Sequence, residues 1–104
     1  MKESFNYQDF LDSLKNEYPS ESLPESLQAL WYDAKGNWNA SHDIAQDIPS
    51  KLGCWIHAYL HRKEGDKFNA QYWYRRANKP YPTFTLEEEF RILVDYILNT
   101  KELN

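Results

Sequence analysis

Apolar residues recur at helical spacing through most of this chain, and Pro or Gly falls at intervals that cut it into helix-sized pieces. The spacing predicts six helices. Asn6 caps a first over about residues 7–18, with Tyr7, Phe10, Leu11 and Leu14 on one face and Pro19 as the stop. Pro24 suits the first turn of a second, whose Leu27, Leu30, Trp31 and Ala34 follow the i, i+3, i+4, i+7 stripe as far as Gly36, which offers a left-handed C-cap. Asn37 caps a short third helix with Trp38, Ser41, Ala45 and Ile48 inward, ended by Pro49. Ser50 starts the fourth, over about 51–64, in which Leu52, Trp55, Ile56 and Tyr59 form one stripe and Cys54, His57, Ala58 and His61 another. A helix apolar or aromatic on two sides has neighbours on two sides, so this one is expected at the centre. Gly65 ends it, Asp66 caps a fifth with Ala70, Trp73, Tyr74 and Ala77 inward, and Pro80 and Pro82 stop that helix. In the sixth, Thr85 and Glu88 form a capping box, three acidic residues favour the positive N-terminal end, and Leu86, Phe90, Leu93, Val94 and Ile97 make the apolar stripe. No segment alternates with period two, although Tyr81 to Phe84 reads as extended. The expected fold is all-α, about six short helices in antiparallel hairpins, with residues 1–104 forming one domain because two separate cores would each be marginal.

A weak repeat runs through the middle. Gly36-Asn37-Trp38-Asn39-Ala40-Ser41 and Gly65-Asp66-Lys67-Phe68-Asn69-Ala70-Gln71 each give a glycine stop, a polar cap, an aromatic and an Asn-Ala pair, about 30 residues apart. Two helix hairpins in tandem are implied. The second hairpin resembles a tetratricopeptide repeat, with Ala58, Ala70, Tyr74, Ala77 and Pro82 at matching positions around the Gly65-Asp66 turn, and its WYRRA run is similar to the WYRKA of Sel1-like repeats. Cys54 and His57 stand where the repeat pattern has large apolar residues. Residues 38–82 also resemble a set of small uncharacterised bacterial and fungal proteins, through Ser41-His42-Asp43-Ile44-Ala45-Gln46, an HAxLHRxEGD-like run and an NAxYWYRR-like run. Asn78-Lys79 replaces a Gly-His pair common in that set. The resemblance carries no activity with it.

Composition narrows the function classes. Hydrophobic residues are 41% and charged ones 27%, an ordinary globular balance, while 16% aromatic residues place much of the burial on rings with polar edges. A formal charge of -4 argues against a nucleic-acid or anionic-membrane binder, which needs an excess of cations. The charge is uneven, however: Arg62, Lys63, Lys67, Arg75, Arg76 and Lys79 meet only Glu64 and Asp66 between residues 62 and 79. A basic patch on an acidic body is expected. The single Cys54 forms no internal disulfide and fits a reducing compartment. Without an apolar signal core or a run of roughly 20 apolar residues, a soluble cytoplasmic protein is expected.

Two constellations carry candidate chemistry. His57 and His61 are one turn apart on a helix face, the spacing at which two imidazoles reach one metal or one substrate group, and His42 can join them. Position 58 is Ala, so this is no HExxH site, and the bland reading is a set of core histidines hydrogen-bonded to Tyr, Asp or backbone groups. No metal or cofactor is assigned on the sequence. Adjacent Arg75 and Arg76 lie about 100° apart on their helix, so one can pair internally, with Arg62, Glu64 and Asp66 as the network, while the other faces solvent. The functional version has an arginine holding a carboxylate or phosphate beside Trp73 or Tyr72. Asp66 and Asn69 read as a cap, and three glycines leave little room for a phosphate loop.

The expected function is therefore a helical protein-interaction or ligand-binding module with an aromatic and Arg-lined groove. Its partner would be a protein, a peptide or a small anionic ligand, without nucleic acid or membrane. The alternative is a small enzyme or metal-binding protein centred on His57 and His61, helped by His42, Glu64 and an arginine. A homodimer seam made by exposed aromatics is a third outcome.

Overall fold

The cap at Asn6 sets the start of the fold: its side chain accepts from the Asp9 N–H at 2.8 Å while the Asp9 carboxylate accepts from the Asn6 N–H at 3.0 Å. The computed structural model describes residues 5–100. Six α-helices follow in order: α1 (Tyr7–Asp12), α2 (Glu25–Ala34), α3 (Trp38–Gln46), α4 (Lys51–Lys63), α5 (Lys67–Arg76) and α6 (Leu86–Thr100). There is no strand among the described residues, and none of their helices is long and apolar enough to cross a membrane. The first helix is shorter than its hydrophobic stripe predicts. After Asp12 the chain tightens into a 3₁₀ turn over Ser13–Lys15, where the Ser13 hydroxyl donates to the Phe10 carbonyl at 2.7 Å. Such a side-chain bond competes with continuation of the helix, and the Lys35 ammonium satisfies the freed Leu14 carbonyl at 2.6 Å. Pro24 stands at the N-cap of α2, one position before the first turn.

Three helices end in the same way. Gly36, Gly65 and Asn78 have φ of 85°, 88° and 61°, the left-handed conformation that closes a helix C-terminus. Each turn is sealed by two N–H donors: Gly36 to Asp33 and Asn37 to Tyr32, Gly65 to Arg62 and Asp66 to His61, Asn78 to Arg75 and Lys79 to Tyr74. Asn37 and Asp66 then cap the next helix through the N–H groups of Ala40 and Asn69. One residue thus ends a helix and the next begins another, so α2 with α3 and α4 with α5 fold back as tight antiparallel pairs.

The internal repeat is structural. Leu27, Ala29, Leu30 and Trp31 are buried on α2 where Ile56, Ala58, Tyr59 and Leu60 are buried on α4. Ser41, Ala45 and Ile48 likewise match Ala70, Tyr74 and Ala77. In this register Ser41, not Ala40, is the counterpart of Ala70, so the Asn-Ala pairing suggested by the letters is one residue out. Packing decides the register, because Ser41 is buried and Ala40 only partly so.

The fourth helix is central, as its double stripe predicts: it packs on α5 and α3 and also meets α2 and α6. At its start Gly53 lies against Ile48, where an added Cβ would overlap the Ile48 carbonyl oxygen and stand 2.8 Å from the Ile48 Cβ. Instead of stacking a third hairpin onto α5, α6 returns across α1, α2 and α4 and buries Leu93, Val94 and Ile97 there. Its Thr85–Glu88 capping box forms as expected.

Two carboxylates are buried in this packing. Glu89, fully buried on α6, accepts from Trp55 Nε1 at 3.1 Å, Tyr74 OH at 2.6 Å and an Arg62 guanidinium nitrogen at 2.7 Å. Asp33 on α2 accepts from Tyr59 OH at 2.8 Å and Lys63 Nζ at 2.9 Å. Both phenols are pushed up in pKa, first by burial and then by their carboxylate partners, so they remain O–H donors. These bonds tie the α4–α5 hairpin to α6 and to α2.

Candidate functional site

The second stripe of α4 meets side chains of α3 on one side and of α5 on the other. His57 and His61 rise from it one turn apart, with rings 4.9 Å between centroids and 26° from parallel. From α3, His42 meets both edge-on, at 4.5 Å from His57 and 5.3 Å from His61. Two tryptophans close the sides. Trp73 of α5 stacks on His57 at 4.0 Å and 19°, and Trp38 of α3 stacks on His42 at 4.8 Å and 15°. Trp38 is locked in turn, because its Nε1 donates to the Leu60 carbonyl at 2.9 Å.

Electrostatics follow from this enclosure. Burial pushes the His57 pKa down to about 4, with further lowering from neighbouring His42 and His61. Burial also lowers His42, followed by the proximity of His61, while Asp43 and Glu64 pull the other way. Both rings are therefore neutral at neutral pH, with one lone-pair nitrogen each. His61 is fixed differently: its Nδ1 lies 2.8 Å from Glu64 Oε2. A carboxylate accepts there only when Nδ1 carries the proton, which leaves Nε2 of the neutral ring as the acceptor nitrogen.

The structure brings together His42, His57, His61, Glu64 and Trp73, with Tyr72 and Arg76 beside Trp73. The Arg76 guanidinium lies 5.5 Å from the Trp73 ring centre and 5.7 Å from that of Tyr72. Arg62 and Arg75 make no contact with these rings among the described residues. Arg62 bonds Glu89 of α6 and the Phe84 carbonyl just ahead of that helix, rather than Glu64 or Asp66. The internal pairing expected for Arg75 or Arg76 is absent among the described residues: both are exposed and neither makes an ion pair there. Glu64 is occupied by His61, and Asp66 by the cap of α5.

Sequence reasoning missed two residues. Trp38, read as core, is only half-buried and packs on His42 and His61; its position four residues before His42 on one helix was the available signal. Glu89, read as a first-turn acid, lies inside the apolar stripe three residues after Leu86 and four before Leu93, which marks it as inward-facing. Clefts of about 300 Å³ beside Asp33 and Lys63 and about 390 Å³ beside Glu89 and Lys79 adjoin networks whose acceptors are already engaged. No family model, curated protein or solved structure matches the chain.

Proposed function

We propose that the protein is a helical binding module whose α5 surface docks an acidic segment of another protein. The observation that carries this reading is the outer face of α5. Phe68 is 82% exposed and Tyr72 is 42% exposed one turn later, with Arg75 and Arg76 in the following turn. Contiguous apolar surface bordered by polar groups favours association, and Tyr, Trp and Arg dominate interface energetics. Lys67, Arg75 and Arg76 share the helix with no Asp or Glu, although the chain carries a formal charge of -4. Cations left without internal partners favour carboxylates from outside, and the acidic remainder of the chain disfavours a polyphosphate backbone.

The rigid backing supports the same reading. Trp73 stands between His57 and the Tyr72–Arg76 pair, so the exposed ring and guanidinium are held on a packed base and lose little freedom on docking. Fluorescence anisotropy of labelled Asp/Glu-rich peptides carrying one aromatic anchor, titrated with the full chain, tests the proposal. Binding that weakens with salt and drops at least about tenfold in Phe68→Ser and in Arg75→Ala/Arg76→Ala, with helical content unchanged, is the expected result. Binding of an RNA oligonucleotide in place of the peptides, or a mass that doubles with concentration through this face, would replace the reading.

A further inference from the structure

We propose that His42, His57 and His61 form a site for one divalent first-row transition-metal ion of the zinc class, with three imidazole nitrogens as the protein ligands. The inference is independent of the α5 docking surface. Its basis is convergence from two helices: one nitrogen from each ring lies within 4.8 Å of the others. Three nitrogens around a tetrahedral zinc stand roughly 3.3 Å apart, from metal–nitrogen bonds of about 2.0–2.1 Å. Ligation would draw the three nitrogens together by rotation about the side-chain torsions.

The bland explanation, a set of core histidines satisfied by hydrogen bonds, meets a contrary observation. His57 is only 7% exposed, yet neither it nor His42 has a hydrogen-bond partner among the described residues. Their ring nitrogens are not among the fully buried atoms without a partner, so they stay open to water and to an incoming ion. Tyr59 and Tyr74, the buried phenols of the same hairpin, donate to Asp33 and Glu89 instead. What surrounds the imidazoles is other imidazoles and two indoles, which fix ring planes and leave the nitrogens for a shared ligand.

His61 supplies a second, independent feature. Its Nδ1 is held by Glu64 at 2.8 Å, leaving Nε2 for the metal, and a carboxylate on the outer nitrogen is the usual device that orients and strengthens a ligating imidazole. Glu64 is thus a positioning residue, not a ligand. The donor set also selects the ion. Imidazole nitrogens without thiolate suit zinc, copper, nickel or cobalt, and a site without carboxylate ligands does not suit magnesium or calcium. Three protein ligands leave at least one coordination position for water or an external ligand. The neighbouring cluster of His61, Glu64 and Asp66 does not compete, since Asp66 is committed to the Asn69 backbone and side chain.

The test uses the untagged full chain, freed of metal by a chelator and titrated with Co²⁺ and, by calorimetry, with Zn²⁺. One equivalent of Co²⁺ giving visible absorption of a low-coordinate nitrogen site, and a Zn²⁺-dependent rise in melting temperature that Mg²⁺ does not reproduce, are expected. His42→Gln and His57→Gln each lower zinc affinity at least about 100-fold, and Glu64→Gln lowers it about tenfold, in the range typical of outer carboxylate partners. His42 is the less buried of the first pair, so His42→Gln keeps the test intact if His57→Gln folds poorly. Absence of stoichiometric binding at submillimolar metal, or binding unchanged by His42→Gln, overturns the proposal.

Discussion

Replacing Glu89 by Met gives the sharpest test of the packing described above. The carboxylate is fully buried and accepts from Trp55, Tyr74 and Arg62, three donors from two helices. Its removal strands the indole N–H and the phenol O–H, at about 1–3 kcal/mol for each buried donor left unsatisfied. It also leaves the Arg62 guanidinium, whose side chain is only 15% exposed, without its carboxylate and with only the Phe84 carbonyl and the Tyr74 hydroxyl beside it. Breaking a buried ion pair from one side costs about 3–5 kcal/mol. These contributions overlap, so a total near 5 kcal/mol is expected, a large share of the roughly 5–15 kcal/mol that holds such a domain together. Urea unfolding followed by circular dichroism measures it, with Glu87→Met, an exposed acid of the same turn, as a control that changes stability by no more than about 0.5 kcal/mol. A cycle with Arg62→Met separates charge from packing. The double variant should be more stable than the sum of the single losses implies, by about 2 kcal/mol, because it no longer buries an unpaired charge. If Glu89→Met costs less than about 1 kcal/mol, Glu89 is an ordinary helix-dipole residue and the buried network does not exist in solution.

Two further outcomes follow from the same geometry. Gly53→Ala places a methyl group against the backbone of Ile48 and should destabilise by about 3 kcal/mol in thermal melts, so an equally stable variant would refute the close approach. For His57 the native ring excludes a proton that the unfolded chain accepts near 6.5. Stability of the metal-free protein is therefore complete above about pH 6.5 and falls as the pH drops toward 4, by an amount approaching about 3 kcal/mol; His42 adds in the same direction, while Asp43 and Glu64 oppose it. The difference in urea midpoint between the parent and His57→Gln, measured across that range, checks this, and a pH-independent difference would contradict it.

Local signals carried most of the helical reading. Caps at Asn6, Asn37, Ser50, Asp66 and Thr85 act within three or four residues of their own position, so composition alone locates them. The double stripe of α4 placed it at the centre because periodicity reports the number of buried faces. The convergence of the histidines was legible only halfway. His57 and His61 share one helix, but the approach of His42 depends on how α3 packs against α4. Partner choice for the arginines was not legible: Arg62 reaches Glu89, 27 residues away, instead of the nearby Glu64 and Asp66. Charge proximity along a chain says little when tertiary packing brings in a better-buried acceptor. The 3₁₀ turn after α1 was hidden for a related reason, since an apolar stripe continues through Leu14 while the Ser13 hydroxyl breaks the ladder.

The path of α6 bears on how this molecule comes apart. Stacked hairpins that touch only their immediate neighbours unfold piecemeal, fraying inward from an end. Here the last helix doubles back to grip α1, α2 and α4 at once, and Glu89 anchors it to donors on both helices of the second hairpin. Loosening either hairpin strains that clasp, so the chain is expected to melt in a single all-or-none step, with coincident fluorescence and circular-dichroism transitions.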